Sequence, residues 1–182
     1  MRRTKWFVMT EVTENPGNSR KRRYLRWLLE GLALIAFLMV VHAFQTRSVV
    51  RGQAPDFEAR LLDGTAVSVR DYRGQALLLQ FWATWCPICR YEQDSIDSLA
   101  RQNAVLTVAM DDLTELEMLT WLDEQGVSYP VVLDADGSLS GLYGIQGVPS
   151  SIIIDPVGDI RFVEVGYTTE IGLRLRLWWV SL

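Results

Sequence analysis

The sequence predicts a three-layer α/β sandwich with a mixed sheet, preceded by one N-terminal membrane-spanning helix. Three observations predict it. From residue 76 onward, strand-length apolar runs alternate with helix-periodic segments; two late runs flank a turn as a hairpin; and a basic cluster introduces one long apolar segment near the N-terminus. Strand–helix–strand units need crossover helices and hence a parallel sheet, to which a closing hairpin adds an antiparallel edge. A length of 182 residues has room for one ordinary domain and a modest appendage.

The appendage comes first. Arg20-Lys21-Arg22-Arg23 and Arg26 lead into an apolar stretch from Trp27 to Phe44, interrupted only by Glu30 and His42 near its ends. From Leu28 to Phe44, a helix rising ~1.5 Å per residue covers about 25 Å, slightly short of a ~30 Å hydrocarbon core. Trp27 and Phe44 suit the two interfaces and Arg47 can snorkel, so one span is feasible. Five basic residues before the segment, against Arg47 and Arg51 after it, place the N-terminus in the cytoplasm and the C-terminal domain in a periplasm-like space. The expected division is therefore a cytoplasmic tail (1–26), a single-pass anchor in a bacterial inner membrane (27–46) and an exported domain (47–182). A cleaved signal peptide competes with this reading, because Val41-His42-Ala43 places a small residue before a cut site. The uncleaved anchor is favoured, since the apolar run continues through that site. His42, the only histidine, is given no role.

Within the domain, Phe57–Leu62 and Ala66–Val69 read as short strands around an Asp63-Gly64 turn. Ala76–Trp82 is apolar apart from Gln80, the pattern of a central strand buried on both faces. Ile88 to about Gln102 is helical, with Pro87 in its first turn. Ala104–Met110 is a second buried strand. Leu113–Gln125 has helical spacing, through Leu113, Leu116 and Leu119 or Thr120 with charges between, and stops at Gly126. Pro130–Leu133 is a strand, and Leu139–Tyr143 is a helical turn. Ser151–Asp155 and Ile160–Val165 form the hairpin, and Thr169–Val180 closes as an amphipathic helix.

Charge excludes one class of partner. Residues 1–51 carry ten Lys and Arg against three acids, whereas the remainder carries eight Arg, no Lys and nineteen Asp and Glu. So acidic a domain repels phosphate backbones, which argues against nucleic acid.

The most informative stretch is Phe81-Trp82-Ala83-Thr84-Trp85-Cys86-Pro87-Ile88-Cys89-Arg90. A C-x-x-C pair at a strand-to-helix junction puts its first sulfur at the helix N-terminus, an exposed position where free N–H groups and the helix dipole favour thiolate over thiol. The second sulfur sits one turn inside, shielded and close enough to close a small ring. Thiolate attack on a partner disulfide gives a mixed disulfide, which the second cysteine resolves. Two cysteines and one histidine cannot complete a four-ligand zinc site within the chain. A purely structural disulfide over so short a loop would remove little entropy from the unfolded state. Thiolates are also good ligands for Cu(I), so a copper-capturing membrane module stays open as a separate class.

With Gly147-Val148-Pro149 some sixty residues beyond Trp85-Cys86-Pro87-Ile88-Cys89, the chain resembles the thioredoxin superfamily. The anchor, Ala54-Pro55-Asp56-Phe57 and the Phe81–Cys86 run are similar to its membrane-tethered periplasmic branch, which holds TlpA, ResA, CcmG and ScsD-like proteins. The likeness covers residues 52–182 and implies a thioredoxin-like fold with Cys86 and Cys89 as the catalytic pair. It implies that Pro149 is cis beside the sulfurs, that Val148 offers its backbone to a bound partner strand, and that Trp85 belongs to the site. It also implies that Glu92 tunes the thiol pKa values. Gln80 departs from the pattern, standing where thioredoxin carries a buried aspartate six residues before the first cysteine. A neutral amide cannot take the proton of Cys89, so Glu92 or water must do so. The resemblance brings no cofactor and no metal. Its implied partners are an exported protein disulfide as substrate and a transmembrane thiol reductase as electron donor. An oxidising direction remains the alternative, because Pro87-Ile88 does not fix the reduction potential.

Overall fold

The computed structural model describes residues 16–182; residues 1–15 of the expected tail lie outside the described residues. The chain divides into two compact units, with the boundary between Val41 and His42. The first is dominated by helix α1 (Pro16–Gln45), whose last four residues lie past the unit boundary. Within it, Arg23–Val41 has a mean hydropathy of 1.9 and is long and apolar enough to cross a membrane. Arg26 donates to Glu30 at 2.9 Å one turn on, which partly offsets the charge of that acid at the edge of the apolar stretch.

The second unit carries the sheet. Its elements are β1 (Gly52–Gln53), β2 (Glu58–Arg60), β3 (Ala66–Ser68), a 3₁₀ turn (Val69–Tyr72), β4 (Leu77–Trp82), α2 (Pro87–Ala100), β5 (Ala104–Ala109), α3 (Glu115–Gln125), β6 (Val131–Leu133), α4 (Ser138–Tyr143), β7 (Ser150–Ile154), β8 (Asp159–Val165) and α5 (Glu170–Val180). Six strands form one sheet in the order β1-β8-β7-β4-β5-β6. β4 pairs parallel with β5 and antiparallel with β7, so the mixed sheet is as expected. Two details differ from the sequence reading. The closing hairpin is not the edge, because Gly52 and Gln53 pair with Ile160 and Asp159 as a further antiparallel strand. Two residues carry no periodicity, so nothing local marks them. The β2–β3 hairpin is a separate ribbon, linked to the main sheet by one bridge, Leu61 to Val132.

β4 is buried along its whole length because α2, α3 and α5 cover one face of the sheet, and α4 with the segment from Val49 to Val69 covers the other. Alternation sends Leu77, Leu79 and Phe81 to one core with Leu106, Tyr143, Ile152 and Ile154, and Leu78 and Trp82 to the other with Ile96, Leu99, Met118, Leu173 and Leu177. Each such side chain contributes about 1.5–3 kcal/mol of burial. In α3 the buried residues are Met118 and Leu122, Leu113 packs against the same core just ahead of the helix, and Leu116 and Leu119 are exposed. Thr114 and Glu117 form a capping box, so the helix begins at Glu115, beyond Leu113. Gly126 ends it in the left-handed conformation, φ 70°, that a glycine adopts without strain.

Candidate active site

β4 runs parallel to β5 and delivers its C-terminal end directly into the loop that carries the cysteines. That loop is pinned by Asp111, just past β5. Its carboxylate accepts the Thr84 N–H at 2.9 and 3.2 Å and the Thr84 hydroxyl at 2.7 Å. Beside it the Met110 N–H donates to the Trp82 carbonyl at 2.8 Å. Cys86 then caps α2. Its backbone is extended (φ −87°, ψ 111°), its Sγ accepts the Cys89 N–H at 3.2 Å, and Pro87 fills the first turn, where the missing N–H costs nothing. The N-terminus of a helix thus points at the sulfur, which favours its thiolate whenever the pair is reduced.

Cys86 and Cys89 form a disulfide with their Cα atoms 5.3 Å apart. Both are buried, at 4% and 5% exposure, so Cys86 is not the exposed member that its place at the helix start suggested. The two sulfurs are distinguished by their surroundings instead. Cys86 takes the helix N–H and lies 3.6 Å from the Val148 carbonyl oxygen, whereas Cys89 faces inward. The Val148–Pro149 bond is cis. The loop carrying it is held by the Ser150 hydroxyl, which donates to the Gly147 carbonyl at 2.7 Å, and by the Gly166 N–H, which donates to the Pro149 carbonyl at 2.8 Å. Around the disulfide, Trp85 and Ile88 are exposed, and Tyr91 packs against Tyr167 with ring centroids 5.5 Å apart.

Glu92 is 1% exposed and belongs to a buried polar chain. Its Oε1 accepts the Thr168 N–H at 2.8 Å, and its Oε2 accepts from the Gln80 amide at 3.3 Å. The Gln80 carbonyl oxygen in turn accepts the Ser151 hydroxyl at 2.5 Å. Burial pushes the Glu92 carboxyl up from 4.5 to about 7, against these two hydrogen bonds, which pull it down. Glu92, Cys89, Gln80 and Trp82 line one small internal cavity of about 10 Å³. Gln80 therefore links the Glu92 carboxylate to Ser151, and the titratable group beside the inner sulfur comes from α2.

The sequence singled out Cys86, Cys89, Trp85, Glu92, Gln80, Val148 and Pro149, and the fold gathers all seven around the disulfide. Sequence reasoning missed Asp111, Ser151 and Thr168. Asp111 had a faint signal, an acid at the C-terminal end of the strand beside the one that carries the motif. Thr168 had none, since it acts through its backbone N–H.

A model of the AhpC/TSA family matches residues 50–163. Among curated proteins, the chain is 30% identical over 131 residues to the thioredoxin-like protein YneN of Bacillus subtilis, covering 69% of this chain and 76% of that one. It is 29% identical over 161 residues to the thiol–disulfide oxidoreductase ResA of Halalkalibacterium halodurans, covering 84% and 92%. Among solved structures, the exposed lipoprotein thioredoxin Etrx1 of Streptococcus pneumoniae superposes with a TM-score of 0.61 at 29% identity, covering 69% of this chain and 99% of that one.

Proposed function

The chain belongs to the AhpC/TSA family and is a thioredoxin-like thiol–disulfide oxidoreductase of the ResA type, and from that premise we propose that it reduces a selected exported protein outside the membrane. In this reading α1 is an uncleaved single-pass anchor and the domain faces the periplasm. Residues 1–26 would then be the cytoplasmic tail, 27–46 the anchor and 47–182 the working domain.

The observation that carries the mechanism is the helix N–H given to Cys86 Sγ. In the reduced enzyme, Cys86 is the attacking thiolate. It displaces one sulfur of the partner disulfide as a thiolate and forms a mixed disulfide. Cys89 then attacks Cys86 Sγ, which releases the second partner sulfur. The partner is reduced by two electrons and the chain is left as the Cys86–Cys89 disulfide. Cys89 must lose its proton to attack. Glu92, which lines the same cavity and is held near neutrality, is suited to accept it, while Gln80 and Thr168 keep its carboxylate in place. The Val148 backbone and Pro149 border Cys86 and suit a partner strand laid across the sulfur; a prolyl nitrogen has no N–H to compete for that strand's carbonyls. A transmembrane thiol reductase would restore the dithiol.

The test is to trap the intermediate. Cys89→Ala should attack a partner and never release it, accumulating mixed disulfides on non-reducing gels, from which mass spectrometry identifies the partner. Cys86→Ala should trap little, because its remaining thiol lies inside the helix. The opposite pattern would reverse the assignment of the sulfurs. No trapping by either variant, together with tight Cu(I) binding by the reduced pair, would replace this reading with metal capture.

A further inference from the structure

Three consecutive residues between β8 and α5 each hold a different part of the redox site. β8 ends at Val165, opposite Ser150, so the chain leaves the sheet beside the loop that carries Pro149. Gly166 turns it there with φ 92°, a conformation that a side chain would strain, and its N–H holds the Pro149 carbonyl at 2.8 Å. Tyr167 lays its ring against Tyr91 of α2, with centroids 5.5 Å apart and planes at 55°. The Thr168 N–H reaches one oxygen of Glu92 at 2.8 Å, and Thr169 caps α5. The connection therefore runs from the loop over Cys86 to the carboxylate beside Cys89. Tyr91 precedes Glu92 and Tyr167 precedes Thr168, so the ring contact and the hydrogen bond are adjacent rungs between the same two segments.

We infer that Tyr91 and Tyr167 are positioning residues for the release of the partner: their ring contact keeps the Thr168 N–H on the Glu92 carboxylate beside Cys89. The inference rests on the reading above, in which Glu92 takes the Cys89 proton. Both rings stand at the surface, 76% and 50% exposed, so they do not serve the two cores. A tilted aromatic pair gains more than its buried area alone, and once one rung is made the next forms with little further ordering of the chain. The consequence is chemical. An N–H given to the ionised carboxylate favours it over the acid, so a loosened rung lets Glu92 keep its proton to higher pH. In the release step the proton leaves Cys89 Sγ, arrives on the carboxylate and leaves a thiolate to attack; only an ionised Glu92 can take it. Of the other residues lining the Glu92 cavity, Cys89 and Tyr129 titrate, while Gln80 and Trp82 from β4 carry no charge. Burial holds the Tyr129 hydroxyl above its ordinary value, so it stays neutral through the range in which Glu92 changes state.

The test uses the reduced full chain in detergent micelles, with dithiobis(nitrobenzoate) in substoichiometric amount as the disulfide. Attack by Cys86 releases one coloured thiolate and attack by Cys89 on the mixed disulfide releases the second, so stopped-flow absorbance separates the two steps. The rate of the second release is followed across about pH 5 to 9. Tyr91→Ala and Tyr167→Ala should each move its midpoint to higher pH by about half a pH unit or more. The double variant should move it no further than either single one, because the rings act as one contact. Tyr91→Phe and Tyr167→Phe keep the rings and should keep the wild-type midpoint. If Tyr91→Ala leaves the midpoint in place while Glu92→Gln changes the profile, the inference is overturned and Glu92 stands as the proton acceptor. A Glu92→Gln profile identical to the wild type would overturn the acceptor reading itself, and the inference with it. Phe variants displaced as far as the Ala ones would assign the effect to the phenol hydroxyls and likewise overturn the ring contact as its cause.

Discussion

Glu92→Gln gives the sharpest test of how the site is built. The carboxyl titrates at about 7 in the folded chain against 4.5 as its ordinary value, so the folded state holds a proton that the unfolded state has released. The stability this group contributes is present below about pH 4.5 and is lost as pH rises through 7. The rise is worth about 3 kcal/mol by pH 8. Other shifted acids act elsewhere on the pH scale. Asp63, Glu117, Asp136 and Glu170 are held below their ordinary values by hydrogen bonds from Thr65, Thr114, Ser138 and Arg174, so their contributions are complete by pH 5 and vanish only in acid. The glutamine can still accept the Thr168 N–H, and the Gln80 amide can turn over, with the Ser151 hydroxyl then accepting from it instead of donating. Urea unfolding of the oxidised fragment 42–182 from pH 5 to 8 should show a wild type that weakens by about 2.5 kcal/mol relative to the variant, the remainder having been lost below pH 5. That corresponds to a relative midpoint shift on the order of 1 M or more at typical urea slopes. Parallel profiles for the two proteins would refute the reasoning, because they would mean that Glu92 is not held near neutrality.

The same geometry makes three further outcomes measurable. Asp111→Ala strips three hydrogen bonds from Thr84; it should cost about 2 kcal/mol, lower Tm by about 5 °C or more, and slow exchange by loosening the loop ahead of Cys86, all readable by calorimetry and an insulin-reduction assay. Pro149→Ala adds an N–H next to the Val148 carbonyl that meets Cys86, so partner complexes should persist longer; unchanged exchange rates would reduce Pro149 to a turn residue. A reporter enzyme that works only outside the cytoplasm, fused after Leu182, should be active and stay with membranes; its release into the soluble exported fraction would indicate cleavage after Ala43.

The sequence by itself determined the parts whose chemistry is local. A long apolar run behind a basic cluster, continuous apolar strands, and a C-x-x-C with proline at a strand-to-helix junction each act through neighbours within a turn or two, so spacing alone reveals them. The anchor-like helix, β4, α2 and its N-cap cysteine were legible for that reason. The tertiary structure decided whatever depends on partners far along the chain. Cys86 is buried although it starts a helix, because the Val148 loop arrives from sixty residues away to cover it. Glu92 could have been an ordinary solvated helix residue; the fold buries it against Gln80 and Trp82 of β4, and a backbone N–H from Thr168 holds it. The inward face of α3, Met118 and Leu122, was set by packing against the sheet. The second apolar face of α5 became visible only once the core had taken Leu173 and Leu177 and left Trp178 and Trp179 outside. Periodicity records that a residue is apolar, but burial is shared among elements that meet only in the folded chain.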